Sequence, residues 1–310
     1  MQARYRGRFA PSPTGPLHFG SLVAAVGSYL QAKSQKGEWC VRIEDVDSPR
    51  SIDGASRQII ETLEAYGFEW DGPVIYQQSR LAAYQDALHL LTQKKLTYPC
   101  SCSRKEITES SSRGMQDGIY PGTCLTRSPK KNKSPAIRIK TDYSVISFND
   151  TVQGLFGQTL RSEVGDFIIF RSDDIFAYHL AVVVDDHEQA ISEVVRGSDL
   201  LDSTPRQIYL QRLLGFSTPG YVHLPVVVDH HGNKLSKQTF AAPLNPQRPL
   251  PTLYYVLMFL GQQPPTDLLE GDIGALWQWA THHWRIDKVP QVRRLPFDDK
   301  FGFLDQKPLN

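Results

Sequence analysis

Three side chains in two distant stretches could stabilise charge on phosphate oxygens. His18 follows Pro11-Ser12-Pro13-Thr14-Gly15-Pro16-Leu17, where prolines and glycine suppress regular structure and make a stiff turn. Leu22, Ala25, Val26, Tyr29 and Leu30 then recur at the spacing of one helix face. His18, Gly20 and Ser21 therefore stand at a helix start, where backbone amides receive anions. Lys234 and Lys237 lie in a loop just after Gly232. A surface lysine pair is ordinarily a solvated loop. Paired with a helix-start histidine at the far end of the chain, it reads as a clamp for a triphosphate.

A second set suits an amino acid. Trp39 to Ile43 reads as a buried strand that delivers Glu44 at its carboxyl end, and Arg196 follows a strand from Ile191 to Val195. A dicarboxylic amino acid needs a cation for a carboxylate and an acidic acceptor for its ammonium. Arg8 and Arg196 can supply the first, and Glu44 the second. A third set is soft: Cys100, Cys102 and Cys124 place three thiols in one short segment, a start for a tetrahedral zinc site. Cys40 sits inside a strand and reads as core.

The elements that must position these groups alternate strand and helix over the first hundred residues. That alternation implies a parallel sheet with crossover helices, whose ligands lie at the carboxyl ends of strands. Gly37 is expected to end the first helix, and Asp53 and Ser79 to cap the next two. The pattern changes at Tyr98, where Ser103 and Glu106 make a capping box and Ala136 to Phe170 favours strands. It resumes at Ile175, with a later strand from Val222 to Val228 and an apolar helix from Leu253 to Leu260. The expected division is 1–99 and 173–241 for the two halves of the α/β domain, 100–172 for an insertion, and 242–310 for a small helical segment.

Composition limits the function classes. The 310 residues are 40% hydrophobic and 22% charged, as in a soluble globular protein. A formal charge of +1 gives no global basic field, so any RNA contact must come from local patches. No run approaches the ~20 apolar residues of a membrane span. No membrane partner and a cytoplasmic location are expected, with the four cysteines as thiols or metal ligands.

His18-Phe19-Gly20-Ser21 resembles the His-Ile-Gly-His element of class I aminoacyl-tRNA synthetases, and Lys234-Leu235-Ser236-Lys237-Gln238 resembles their Lys-Met-Ser-Lys-Ser loop. The opening Gly7-Arg8-Phe9-Ala10-Pro11-Ser12-Pro13-Thr14-Gly15 is similar to the glutamyl branch. The resemblance implies a Rossmann-type parallel sheet, an inserted α+β zinc-containing subdomain facing the RNA's acceptor end, and a small helical C-terminal segment. It makes His18, Ser21, Lys234 and Lys237 catalytic, and His18, Gly20 and Lys237 ATP-binding. It carries over Arg8, Phe9, Ala10, Pro11, Ser12, Glu44, Tyr178 and Arg196 as glutamate-binding residues. Tyr120 matches the family's fourth ligand to one structural zinc, and Asp117 is the other nearby candidate. Ser21 departs from the second histidine and Gln238 from the final serine; Ser21 can donate a hydrogen bond but cannot carry charge.

Only 72 residues follow Gln238, too few for an anticodon-binding body with its connecting segment. The resemblance then implies a monomer that activates L-glutamate with ATP and Mg2+ without needing tRNA. Transfer would be to the queuosine base at the wobble position of tRNA(Asp). Two alternatives stay open: a truncated enzyme charging a tRNA 3′ end, and a non-catalytic RNA-binding paralogue. Aspartate and glutamine are less favoured substrates.

Overall fold

The computed structural model describes residues 4–111, 119–130, 132–229, 232–234 and 242–297. Lys237 and its neighbours Leu235, Ser236 and Gln238 lie outside the described residues, as does Asp117.

The first half of the chain runs β1 (Arg6–Phe9), α1 (Phe19–Ser34), β2 (Glu38–Ile43), α2 (Ala55–Ala65), β3 (Ile75–Tyr76) and α3 (Leu81–Gln93). A middle section follows as β4 (Thr97–Cys100), α4 (Arg104–Ser111), β5 (Ala136–Ile139), β6 (Val145–Asp150), β7 (Gly154–Thr159), α5 (Leu160–Glu163) and β8 (Ile168–Phe170). The chain then forms α6 (Tyr178–Glu188), β9 (Glu193–Gly197), α7 (Thr204–Leu214), β10 (Gly220–Leu224) and β11 (Val226–Val228). It closes with α8 (Pro249–Phe259), α9 (Ile273–His283) and β12 (Arg294–Pro296).

β1, β2 and β3 pair in parallel, as do β9 and β10. The two sets meet where the Ser192 amide donates to the Arg6 carbonyl at 2.9 Å, beside the start of β9. The antiparallel hairpin of β6 and β7 adds to β10 through Asp150 and Tyr221, and β4, β5 and β8 form a separate antiparallel sheet. The sequence reads Val222 to Val228 as one strand, but Pro225 lacks an N–H and divides it. β11 pairs instead with β12.

Strand alternation sorts the side chains onto two faces. Phe9, Trp39, Val41, Ile43, Val195, Val222 and Leu224 join Leu22, Val26 and Leu30 of α1 and Leu253 and Leu257 of α8 in one apolar cluster. Arg8, Arg42, Arg196 and His223 alternate with them and meet partners on the opposite side, in α6, α7 and the end of β6. A second cluster lies on that side, around Leu180, Val183, Ile208 and Leu210.

Several expected caps differ in detail. The left-handed residue ending α1 is Lys36, not Gly37. Lys36 and Gly37 amides donate to the Lys33 and Ala32 carbonyls, which closes the helix end. Gly37 is required for a different reason: a Cβ there would lie 2.6 Å from the Tyr5 carbonyl oxygen. Gly54 in the left-handed region, rather than Asp53, precedes α2. Ser79 donates to the Tyr76 carbonyl, and Arg80 stands at the start of α3. Ser103 and Glu106 do form their reciprocal pair, at 2.8 and 3.3 Å.

Trp39 anchors the first cluster. It is fully buried, stacks with Phe9 and Phe68, meets Tyr29 edge-on, and donates Nε1–H to Ser28 Oγ at 3.0 Å. Trp39→Ala is expected to lower stability by about 3–5 kcal/mol, measured as a shift in the urea midpoint with unchanged slope.

Candidate active site

The carboxyl ends of the parallel strands open together at one edge. β1 leads into the Pro11–Leu17 turn, β2 delivers Glu44, and β9 leads to Gly197 and Asp199. Two cavities lie there and share Phe9, Ser12, Ala24 and Gly197 as a common wall.

The first, about 510 Å³, is also lined by Pro11, His18, Gly20, Ser21, Asp199 and Lys234. His18 is the N-cap of α1. Its amide donates to Ser21 Oγ at 3.1 Å, and the Ser21 amide donates to His18 Nδ1 at 3.3 Å. This reciprocal cap gives Ser21 a task that needs no charge. It also makes Nδ1 an acceptor, so the neutral ring carries its proton on Nε2. No acidic side chain occupies the first turn of α1, which leaves the positive end of the helix dipole available to an anion. Lys234 forms an ion pair with Asp199 at the rim.

The second cavity, about 440 Å³, is lined by Arg8, Ala10, Glu44, Tyr178 and Arg196 among others. All of the expected glutamate-binding residues thus line one or other of the two adjoining cavities. Arg8 is only 3% exposed and is held side-on by Asp186, with Nε and Nη2 donating at 3.1 and 3.4 Å. Arg42 donates to the same carboxylate at 2.8 Å, to Gln189 Oε1 at 2.6 Å and to Glu44 Oε1 at 3.2 Å. Burial pushes the Glu44 carboxyl upward, against the pull of Arg42 and Arg8. Those two guanidinium groups and bonds from them hold Asp186 below the usual carboxylate range despite its burial.

Arg196 donates from Nη1 to Tyr178 Oη at 3.3 Å and from Nη2 to Thr204 Oγ at 2.9 Å and to the Leu200 carbonyl at 3.4 Å. Its Nε donates to His223 Nε2 at 3.1 Å. These contacts use four of five guanidinium N–H groups and leave one on Nη1. Tyr178 Oη accepts from Nη1, with the Gln207 side chain as a second neighbour, and its own O–H is a donor that can be offered to a ligand. The cavity lining itself carries Arg8, Arg50 and Arg196 against Glu44, an excess of cation suited to an anionic ligand. Asp185 lies 3.8 Å from Arg42 Nε and is engaged also by Arg80 at 2.7 Å and by Tyr84 and Gln77 at 2.8 Å.

Arg42, Asp186 and His223 were not singled out from the sequence, although a signal existed. A charge within Trp39-Cys40-Val41-Arg42-Ile43, or a histidine between Val222 and Leu224, must find a buried partner. What sequence does not disclose is which partner.

Away from the sheet edge, the thiols of Cys100, Cys102 and Cys124 lie within 4.8 Å of one another. Tyr120 Oη is 3.3 Å from Cys100 Sγ and 3.8 Å from Cys102 Sγ, and accepts from the Cys124 amide at 2.9 Å. Burial pushes the phenol upward and the Cys102 thiol up to about 11. Three soft donors and a phenol converging at this range fit a four-coordinate zinc site. Gly165, at φ 73°, supports Tyr120 from behind, since a Cβ there would lie 2.4 Å from the Tyr120 carbonyl oxygen.

Residues 4–245 match the family described as tRNA synthetases class I (E and Q), catalytic domain. The chain is 54% identical over 293 residues to a glutamyl-Q tRNA(Asp) synthetase of Dechloromonas aromatica, covering 94% of this chain and 97% of that one. It is 47% identical over 292 residues to one from Neisseria gonorrhoeae, covering 93% and 98%. The glutamate–tRNA synthetase of Elizabethkingia anophelis superimposes with a TM-score of 0.80 at 26% identity, over 96% of this chain and 68% of that one. A parallel α/β sheet with a helix-start histidine and a lysine at the rim of one cavity is thus the setting of a known catalytic domain, and the chain belongs to the class I tRNA synthetases of the glutamate and glutamine type.

Proposed function

We propose that the protein activates L-glutamate with ATP and transfers it to the queuosine base of tRNA(Asp). The observation that carries this reading is the shared wall of Phe9, Ser12, Ala24 and Gly197. It sets a cation-rich amino-acid pocket directly beside a phosphate-binding helix start. The relatives' names point to the same RNA target.

In the first step, the α-carboxylate of glutamate attacks the α-phosphorus of ATP and pyrophosphate leaves. Charge gathers on phosphate oxygens, so placed donors do most of the work. His18 Nε2–H and the α1 amides serve those oxygens, with Lys234 and Lys237 neutralising the triphosphate beside its Mg2+. Arg8, Tyr178 and Arg196 hold carboxylate oxygens. Glu44 receives the ammonium, which adds a further cation beside its raised carboxyl. In the second step, a hydroxyl of queuosine attacks the acyl carbon and AMP leaves. Cys100, Cys102, Tyr120 and Cys124 hold one zinc ion, which ties together the segment between β4 and β5.

Glutamate-dependent ATP–pyrophosphate exchange without tRNA tests activation, and its absence from zinc-loaded protein would refute the reading. Nuclease mapping of labelled glutamate to the anticodon tests the target; label at the 3′ terminus would instead make this a tRNA-charging enzyme. His18→Ala and Lys237→Ala are each expected to lower exchange by roughly 10²–10³-fold with an unchanged circular dichroism spectrum. Near-parental rates would remove those residues from the reaction. Cys102→Ser is expected to lower bound zinc, read by elemental analysis, and to speed proteolysis between β4 and β5. Full zinc stoichiometry in that variant would refute the ligand set.

A further inference from the structure

Arg196 is held in part by His223, and His223 by Asp150; both are buried and line neither cavity. His223 on β10 is the register partner of Arg196 on β9. His223 Nδ1 lies 2.6 Å from Asp150 Oδ2, at the end of β6. Asp150 Oδ1 accepts from the amides of Val152, Gln153 and His223 at 3.1, 2.8 and 3.1 Å. Asp150 and His223 are 1% and 0% exposed.

Thr204 Oγ also lies 3.2 Å from His223 Nε2, and as a hydroxyl it can serve there as donor or acceptor; the charged members of the chain have fixed roles. A guanidinium only donates, so His223 Nε2 must accept; a carboxylate only accepts, so Nδ1 must donate. The ring is therefore neutral with its proton on Nδ1. Burial, helped by the Arg196 charge, holds its pKa down to about 4 against the pull of Asp150.

We propose that Asp150 and His223 are positioning residues for glutamate binding: Asp150 selects the His223 tautomer, and its Nε2 lone pair sets the rotation of the Arg196 guanidinium. Nη1 and the Tyr178 hydroxyl are thereby presented together to a carboxylate. The proposal rests on the reading of Arg196 as a glutamate-binding residue. It also gives β6, from the middle section, a part in the amino-acid pocket. The logic is that of any carboxylate that orients an imidazole, here serving a binding cation rather than a nucleophile.

Asp150→Asn is the sharp test. Asparagine keeps one oxygen for the three amides and turns an N–H toward His223 Nδ1. The ring must then carry its proton on Nε2, which faces the Nε–H of Arg196 at 3.1 Å and Thr204 Oγ at 3.2 Å, so the Arg196 Nε–H loses its acceptor while the ring proton can turn to the hydroxyl. Exchange assays should show KM for glutamate raised about tenfold or more, with KM for ATP within about twofold of parent. Nitrogen-15 spectra of the His223 ring should show the proton moved from Nδ1 to Nε2. His223→Gln keeps an acceptor for Arg196 while abandoning Asp150, so it should melt earlier yet recover most of the glutamate affinity. A swapped tautomer with parental KM overturns the proposal, as does a proton still on Nδ1. So does a His223→Gln protein whose KM worsens in step with its melting temperature. Arg196→Lys separates the two levels. If it leaves KM for glutamate unchanged, Arg196 is not a substrate residue and the underlying reading fails. If it raises KM while the tautomer swap does not, only the relay fails.

Discussion

The structure depends on a layer of buried charge between the parallel sheet and α6. Asp186 is its centre, with one carboxylate shared between Arg8 and Arg42. Such a layer is costly to desolvate, and it persists only when every member is paired and well aimed. The strands supply that aim. Period-two alternation in β1, β2, β9 and β10 sends apolar side chains to α1 and cationic ones or histidine to α6 and α7. A slip of one residue in any of these strands would exchange the two sets. Core packing and the polar lining of the second cavity are therefore specified by one register.

The same economy governs the helix start. The His18–Ser21 cap satisfies an end amide and a side chain reciprocally, and in doing so fixes which ring nitrogen bears the proton. Structural capping and the choice of ring tautomer are one interaction there. The replacement of the second signature histidine by Ser21 is thus compatible with the geometry of the site, because a hydroxyl at that position closes the cap.

Much of this was legible in the sequence. Turn residues followed by 3.6-residue periodicity located α1, and apolar runs ending in Glu44 and Arg196 located the carboxyl edge of the sheet. Local signals were weaker where a neighbour decides. Gly37 looks like a helix terminator, but the left-handed position falls on Lys36 and the glycine is needed for the approach of Tyr5. Pro225 divides a run of valines that hydrophobicity alone reads as continuous. The Asp186 carboxylate shared by the buried arginines was not assigned, because Arg8 and Asp186 are distant in sequence and no periodicity links a strand cation to a helix anion.

The pair between Lys234 and Asp199 bears on how the nucleotide is admitted. In the free protein the lysine already has a carboxylate counter-ion at the mouth of the cavity. On the proposed reading of this cavity as the ATP site, an arriving polyphosphate would exchange one anion for another around a single cation, so the ammonium need not be stripped of all its partners to engage it. The Asp199 carboxylate released by that exchange would face the phosphates at close range and oppose them.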